Sequence, residues 1–193
     1  MLEAIILAAG ESRRMGQLKP LLKINELTFL QKIHKELIKE DIQDVHIVLG
    51  YQAEKIKREC GIEADFIINE NYKNGQFSSL QQGILSLSPE CSAVLVCLVD
   101  QPHINSSWID KLIIPVLEGH LGIVRPSYNG RHGHPVIYTG DMFPKILEFP
   151  PTATAKDVMS KYSSDIFEVE IDSEGILYDA DTPEDLQIVK NFI

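Results

Sequence analysis

Three groups of residues could do chemistry together. The first is Leu7-Ala8-Ala9-Gly10-Glu11-Ser12-Arg13-Arg14-Met15-Gly16-Gln17-Leu18-Lys19, where small residues sit among cations. Small residues let backbone N–H groups approach an anion, and cations neutralise charge that backbone dipoles cannot. That combination can hold a polyphosphate. For a bare loop of this kind, an ordinary strand-to-helix turn with solvated arginines would be the preferred reading. Its position favours the phosphate reading, because it follows the apolar run Ala4-Ile5-Ile6-Leu7-Ala8, and open α/β sheets bind ligands at the C-terminal ends of buried strands. Five residues separate Gly10 from Gly16 where G-x-x-x-x-G-K-[ST] has four, no Lys-Ser/Thr follows, and no G-x-G-x-x-G is present.

The second group is a pair of aspartates. Asp100 follows the most apolar run of the chain, residues 93–99, and precedes Gln101-Pro102. It could cap the following turn, or hold Mg²⁺, which takes one or two carboxylates together with phosphate oxygens. Asp181 lies in Asp179-Ala180-Asp181-Thr182-Pro183-Glu184-Asp185-Leu186. Thr182 as N-cap, Pro183 at N1 and Asp185 at N3 specify a helix start, leaving Asp181 free to face a ligand. The third group is the loop Asn129-Gly130-Arg131-His132-Gly133-His134-Pro135. Asn129-Gly130 is a turn pair, and a His132/His134 metal pair would lack an evident third ligand.

Apolar runs alternate with helical patterns along the chain. This predicts an α/β fold, with a mainly parallel sheet carrying helices on both faces. Strands are expected at 45–49, 65–68, 93–99, 122–126 and 167–171. Helices are expected at 28–39 from a capping box, at 53–60 with Gly61 as cap, at 107–118 and at 154–162. A helix from Ser78 carries two overlapping Ser-x-x-Gln boxes, and plain capping accounts for both serines. Trp108 reads as core or interface, and Pro150-Pro151-Thr152 as an exposed bend that could act as a lid.

The 193 residues fit one domain, 1–193, and 44% hydrophobic with 24% charged residues is a globular balance. A net charge of −10 argues against nucleic acid and membrane surfaces as partners. Cys60, Cys91 and Cys97 make no C-x-x-C, and Cys97 reads as a buried inert thiol. Without a basic n-region and apolar core at the start, the expected location is the cytoplasm.

The first loop resembles the L-A-A-G-x-S-x-R-M-G-x-x-K signature of molybdenum cofactor cytidylyltransferases, the MocA-like members of the MobA-like NTP transferase superfamily. It matches at Leu7, Ala8, Ala9, Gly10, Ser12, Arg14, Met15, Gly16 and Lys19. Gly75, Ser79 and Leu80 fit a G-x-x-x-S-L element, Asp100 a D-x-P context, and Gly133-His134-Pro135 an R-x-G-H-P element with Arg131. The D-x-D-T-P-E-D-L string fits a C-terminal signature.

The resemblance implies a single Rossmann-like, GT-A-like nucleotidyltransferase domain. It would move CMP from CTP to the phosphate of molybdopterin and release pyrophosphate, with a molybdenum hydroxylase as client. It implies Lys19, Arg13, Arg14 and Asp100 as catalytic residues, and Asp100 and Asp181 as Mg²⁺ ligands with Asp179 in support. Leu7, Ala8, Ala9, Gly10, Gly16, Lys19, Ser78 and Ser79 would bind the nucleotide. Arg131, Gly133 and His134 would bind the acceptor. The Ala8-Ala9-Gly10 step leans towards the cytidylyl rather than the guanylyl branch. A sugar-phosphate nucleotidyltransferase and a non-catalytic nucleotide-binding regulator or carrier are the competing readings.

Overall fold

Leu2–Leu7 (β1) pairs in parallel with Val45–Leu49 on one edge and Ala93–Leu98 on the other, and helices on both sides of the sheet bury its apolar side chains. The computed structural model describes residues 1–42 and 44–193. After β1 come a small hairpin, Lys23–Ile24 (β2) and Leu27–Thr28 (β3), and the helix Phe29–Lys39 (α1). Then follow Val45–Leu49 (β4), Ala53–Glu59 (α2), Asp65–Ile68 (β5), Gln76–Ser86 (α3) and Ala93–Leu98 (β6). The second half contains Ser106–Leu117 (α4), Ile123–Tyr128 (β7), Arg131–His132 (β8), Val136–Thr139 (β9) and Met142–Leu147 (α5). Ala155–Lys161 (α6), Ile166–Glu170 (β10) and Pro183–Val189 (α7) complete it.

The main sheet has the order β10-β7-β9-β6-β1-β4-β5, with β8 paired to β7. β5, β4, β1 and β6 run parallel, as do β7 and β10, while β9 runs antiparallel between β6 and β7. The expected α/β architecture is present, mostly parallel and in three layers. One face packs α1, α2, α4 and α7 through Phe29, Ile33, Ile56, Leu112 and Val189, and the other packs α3, α5 and α6 through Leu80, Ile146 and Val158.

Local signals placed three helix starts as the sequence reads them. Thr28, Thr154 and Thr182 each accept a bond from the backbone N–H three residues on, and Gln31, Asp157 and Asp185 return it. Elsewhere the structure corrects the sequence reading. α3 begins at Gln76 behind Gly75 with no side-chain cap, so Ser78 and Ser79 lie inside its first turn. Asn105, not Ser107, caps α4, accepting from Trp108 N–H at 3.3 Å. The strand expected at 122–126 runs to Tyr128 and turns through Asn129-Gly130, both with positive φ, into β8. β9 and α5 were not foreseen. Among the described residues, no helix is long and apolar enough to cross a membrane.

Candidate active site

The loop after β1 is shaped by Ser12, which adopts φ 53°. Its carbonyl accepts from Met15 N–H (3.2 Å) and Gly16 N–H (3.1 Å), and its Oγ accepts from Lys19 N–H (3.1 Å). The amide of Gly16 is therefore committed to closing the turn. By contrast, the amides of residues 10–14 donate to no acceptor among the described residues. They form the stretch of backbone that remains open to an anion.

Lys19 turns inward from this loop. Its ammonium donates to Asp100 Oδ2 at 3.0 Å and to Asp181 Oδ1, and Arg14 donates to Asp181 Oδ2. Burial alone would depress the lysine, but Asp100 and Asp181 hold it above the ordinary range. Burial would likewise raise Asp181, but Lys19 and Arg14 keep it below the usual carboxylate range. The three residues arrive from distant segments. Asp100 follows β6, Asp181 precedes the cap of α7, and the Ala180 N–H to Asp100 C=O bond (2.8 Å) ties the two segments together. Gln101 Nε2 donates to Asp179 Oδ1 (2.8 Å) beside that tie. Burial, with Asp100 close by, pushes the Asp179 carboxyl up to about 6.

Asp100 Oδ1 is buried and has no hydrogen-bond partner. An orphaned carboxylate oxygen beside a second carboxylate is the donor set expected for a hard divalent cation that takes its other ligands from phosphate and water. Among the described residues no third His, Cys, Asp or Glu joins them. The pair therefore fits a cation shared with a substrate and not one caged by protein alone.

These residues line a cavity of about 310 Å³, together with Leu7, Ala9, Gly10, Arg13, Gly75, Gln76 and Ser79. Several sequence-derived candidates lie elsewhere. Ala8 is buried in the core, its N–H bonded to Val48 C=O at 2.9 Å. Gly16 borders a separate groove with Gln17, Tyr51 and Lys55. Arg13 reaches the cavity rim, but its guanidinium pairs with Glu11. Ser78 is buried behind Ser79 and bonds back to Gly75 C=O at 2.8 Å. Arg131 is exposed on the β7–β8 hairpin and is not part of the cavity lining. Gly133 serves close packing, since a Cβ there would sit 1.9 Å from Ile176 C=O. His134 lines a second, mostly apolar cavity of about 220 Å³ that abuts the first through Leu7, Gly75 and Gln76. Burial pushes its imidazole down to about 4, so it is neutral at pH 7.

Sequence reading missed Asn69 and Gln101. Asn69 is buried after β5 and contacts both serines, while Gln101 holds Asp179. Gln101 stood in plain view between Asp100 and Pro102. Asn69 gave no signal beyond a strand end.

A sequence profile of the MobA-like NTP transferase domain matches residues 4–166. The molybdenum cofactor cytidylyltransferase of Escherichia coli K12 is 24% identical over 98% of this chain and 95% of its own. A Bacillus cytotoxicus protein named "Probable molybdenum cofactor guanylyltransferase" is 28% identical over 60% of this chain and 62% of its own. A crystal structure of a Mycobacterium tuberculosis H37Rv protein in complex with manganese superposes with a TM-score of 0.81 at 19% identity, covering 100% of this chain and 99% of that one.

Proposed function

The chain belongs to the MobA-like NTP transferase family and is a nucleotidyltransferase, and from that premise we propose that it transfers CMP from CTP to the phosphate of a molybdopterin-type cofactor. An acceptor phosphate oxygen forms a bond to the α-phosphorus of CTP. The bond between that phosphorus and the bridging oxygen breaks, and pyrophosphate leaves. Lys19, Asp100 and Asp181, gathered at the mouth of the amide-lined loop, carry this reading. A nucleotidyl transfer needs little covalent help from the protein, so catalysis rests on positioning and on stabilising charge.

The open amides of residues 10–14 would cradle the triphosphate, with Arg14 and Lys19 countering its charge. Asp100 and Asp181 would hold Mg²⁺, which supplies charge neutralisation across the phosphate oxygens. Such binding would draw Lys19 off the carboxylates and towards phosphate. The His134 cavity would receive the acceptor. A neutral, half-buried imidazole there suits a hydrogen bond to a pterin or phosphate rather than covalent chemistry.

Cytosine is favoured over guanine by Ala9, whose methyl lines the cavity where the guanylyl branch carries glycine. The relative spanning nearly the whole chain is a cytidylyltransferase, while the guanylyl relative aligns over a shorter stretch. Pyrophosphate release with CTP, GTP, ATP or UTP, each with molybdopterin and Mg²⁺, tests the assignment. CTP should lead clearly. A preference for GTP would move the chain to the guanylyl branch, and release with no pterin acceptor present would overturn the cofactor reading.

A further inference from the structure

Asn69 is 2% exposed and sits immediately after β5, where its N–H extends the ladder to Leu49 C=O at 2.8 Å. Its side-chain amide is fully engaged. Oδ1 accepts from Asn71 N–H (2.9 Å), and Nδ2 donates to the hydroxyls of Ser78 and Ser79, each at 2.9 Å. The two serines then differ. The Ser78 hydroxyl donates to Gly75 C=O at 2.8 Å. The Ser79 hydroxyl accepts from Asn69 and donates to nothing among the described residues, although the residue is 2% exposed and lines the cleft beside Gln76. A buried hydroxyl with its lone pair engaged and its proton free is a donor awaiting an acceptor.

We propose that Asn69 is a positioning residue for nucleotide binding, fixing Ser79 Oγ as a hydrogen-bond donor to an oxygen or ring nitrogen of the bound nucleotide. The inference rests on the nucleotidyltransferase reading and adds the direction of one bond to it. Because the Asn69 amide N–H points at Ser79, the serine cannot turn its proton towards Asn69, and the cleft is the remaining direction. The same amide closes the turn at residues 69–71 through Oδ1, which fixes the distance between β5 and the first turn of α3.

Asn69→Asp isolates this effect, because the shape and the bond from Asn71 N–H are kept. The second oxygen becomes an acceptor, so Ser79 must donate to it and its proton is withdrawn from the cleft. Calorimetry with CTP and MgCl₂, without acceptor, should show wild-type binding weakened about 10-fold in Asn69→Asp, the scale of one lost hydrogen bond to a ligand. Ser79→Ala should lose a similar factor, and the double variant no more than either single one. At saturating CTP, kcat should change less than 2-fold in Asn69→Asp, so the loss falls on KM.

A repulsive charge or a loosened turn would still act in the Ser79→Ala background. Additive losses in the double variant, or wild-type affinity in Asn69→Asp, would therefore overturn the proposal. Ser79→Ala decides the matter alone if Asn69→Asp does not fold, since unchanged CTP affinity there removes the donor. A wild-type protein that binds no nucleotide would instead overturn the underlying functional reading.

Discussion

The same strands carry a charge cluster at each end, and the two are built differently. At the N-terminal end of the sheet, the fully buried carboxylate of Glu3 accepts from His46 Nε2 at 2.8 Å and from the hydroxyl and N–H of Ser88. His46 Nδ1 meets Asp65 at 2.8 Å on the edge strand β5. Burial would raise the Glu3 carboxyl, but Ser88 and His46 hold it below the usual range. Both oxygens of Glu3 and both ring nitrogens of His46 have protein partners. At the C-terminal end, Lys19 bridges Asp100 and Asp181, yet among the described residues the buried Asp100 Oδ1 and the Ser79 proton have no partner, and the amides of residues 10–14 are left to solvent. Buried polar groups without partners are costly, so they persist where a ligand completes them. Completeness marks the far cluster as a structural clasp. The near one is incomplete, as the binding site proposed for it requires.

Exchanging the effects of substitution between the two ends would break this contrast. The largest expected effect is at Asp100. Asp100→Asn should lower turnover by at least ~10³-fold in a pyrophosphate-release assay while the melting temperature stays within a few degrees. Next is Lys19→Ala, with a loss of ~10²–10³-fold, typical when one preorganised electrostatic donor is removed. Glu3→Ala should behave in the opposite way. Leaving His46 and the Ser88 groups unpaired in a buried setting should cost about 3 kcal/mol in denaturant unfolding, with kcat of the folded enzyme unchanged. A comparable kcat loss in Glu3→Ala would mean that the two ends are coupled.

The pH dependence sharpens the same comparison. The folded pKa of Glu3 lies below its ordinary 4.5. Its contribution to stability is therefore complete above about pH 4.5 and disappears as pH falls through the depressed value. The stability gap between wild type and Glu3→Gln should shrink as pH falls below 4.5; thermal melts from pH 5 to 3 measure it. A gap that widens below pH 4.5 would contradict the clasp. The smallest effect is expected from Ala9→Gly. Removing one methyl should narrow the preference for CTP over GTP by about 10-fold, the scale of a single small group in a pocket, as read from kcat/KM.

The fold was legible where the signal is local. Threonine capping boxes specify a helix start within four residues, so Thr28, Thr154 and Thr182 were read correctly. The Ser78 and Ser79 boxes failed because Asn69, which comes close only through the β5–α3 packing, takes both hydroxyls, while Gln81 reaches across to Ile146 and Phe149 carbonyls. β9 escaped notice because four buried residues inside a loop rich in turn signals give no period to read.

For the candidate site, sequence pattern and resemblance together supplied the residue types, and the structure brings Lys19, Arg14, Asp100, Asp181, Ala9 and Ser79 to one cavity. The sequence alone could not show that Gly16 N–H is taken by Ser12, nor that Gly133 is needed for close approach to Ile176. Those facts depend on where distant backbone passes.

On the proposed function, the incomplete charge cluster at residues 19, 100 and 181 is completed by a nucleoside triphosphate and a divalent cation. Calorimetric titration of CTP into wild type and Asp100→Asn, each with and without MgCl₂, tests it most directly. Wild type should bind CTP at least ~10-fold more tightly with Mg²⁺, the dependence expected when a cation bridges protein carboxylates and phosphate, and Asp100→Asn should lose that enhancement. Identical CTP affinity in all four titrations would contradict the account.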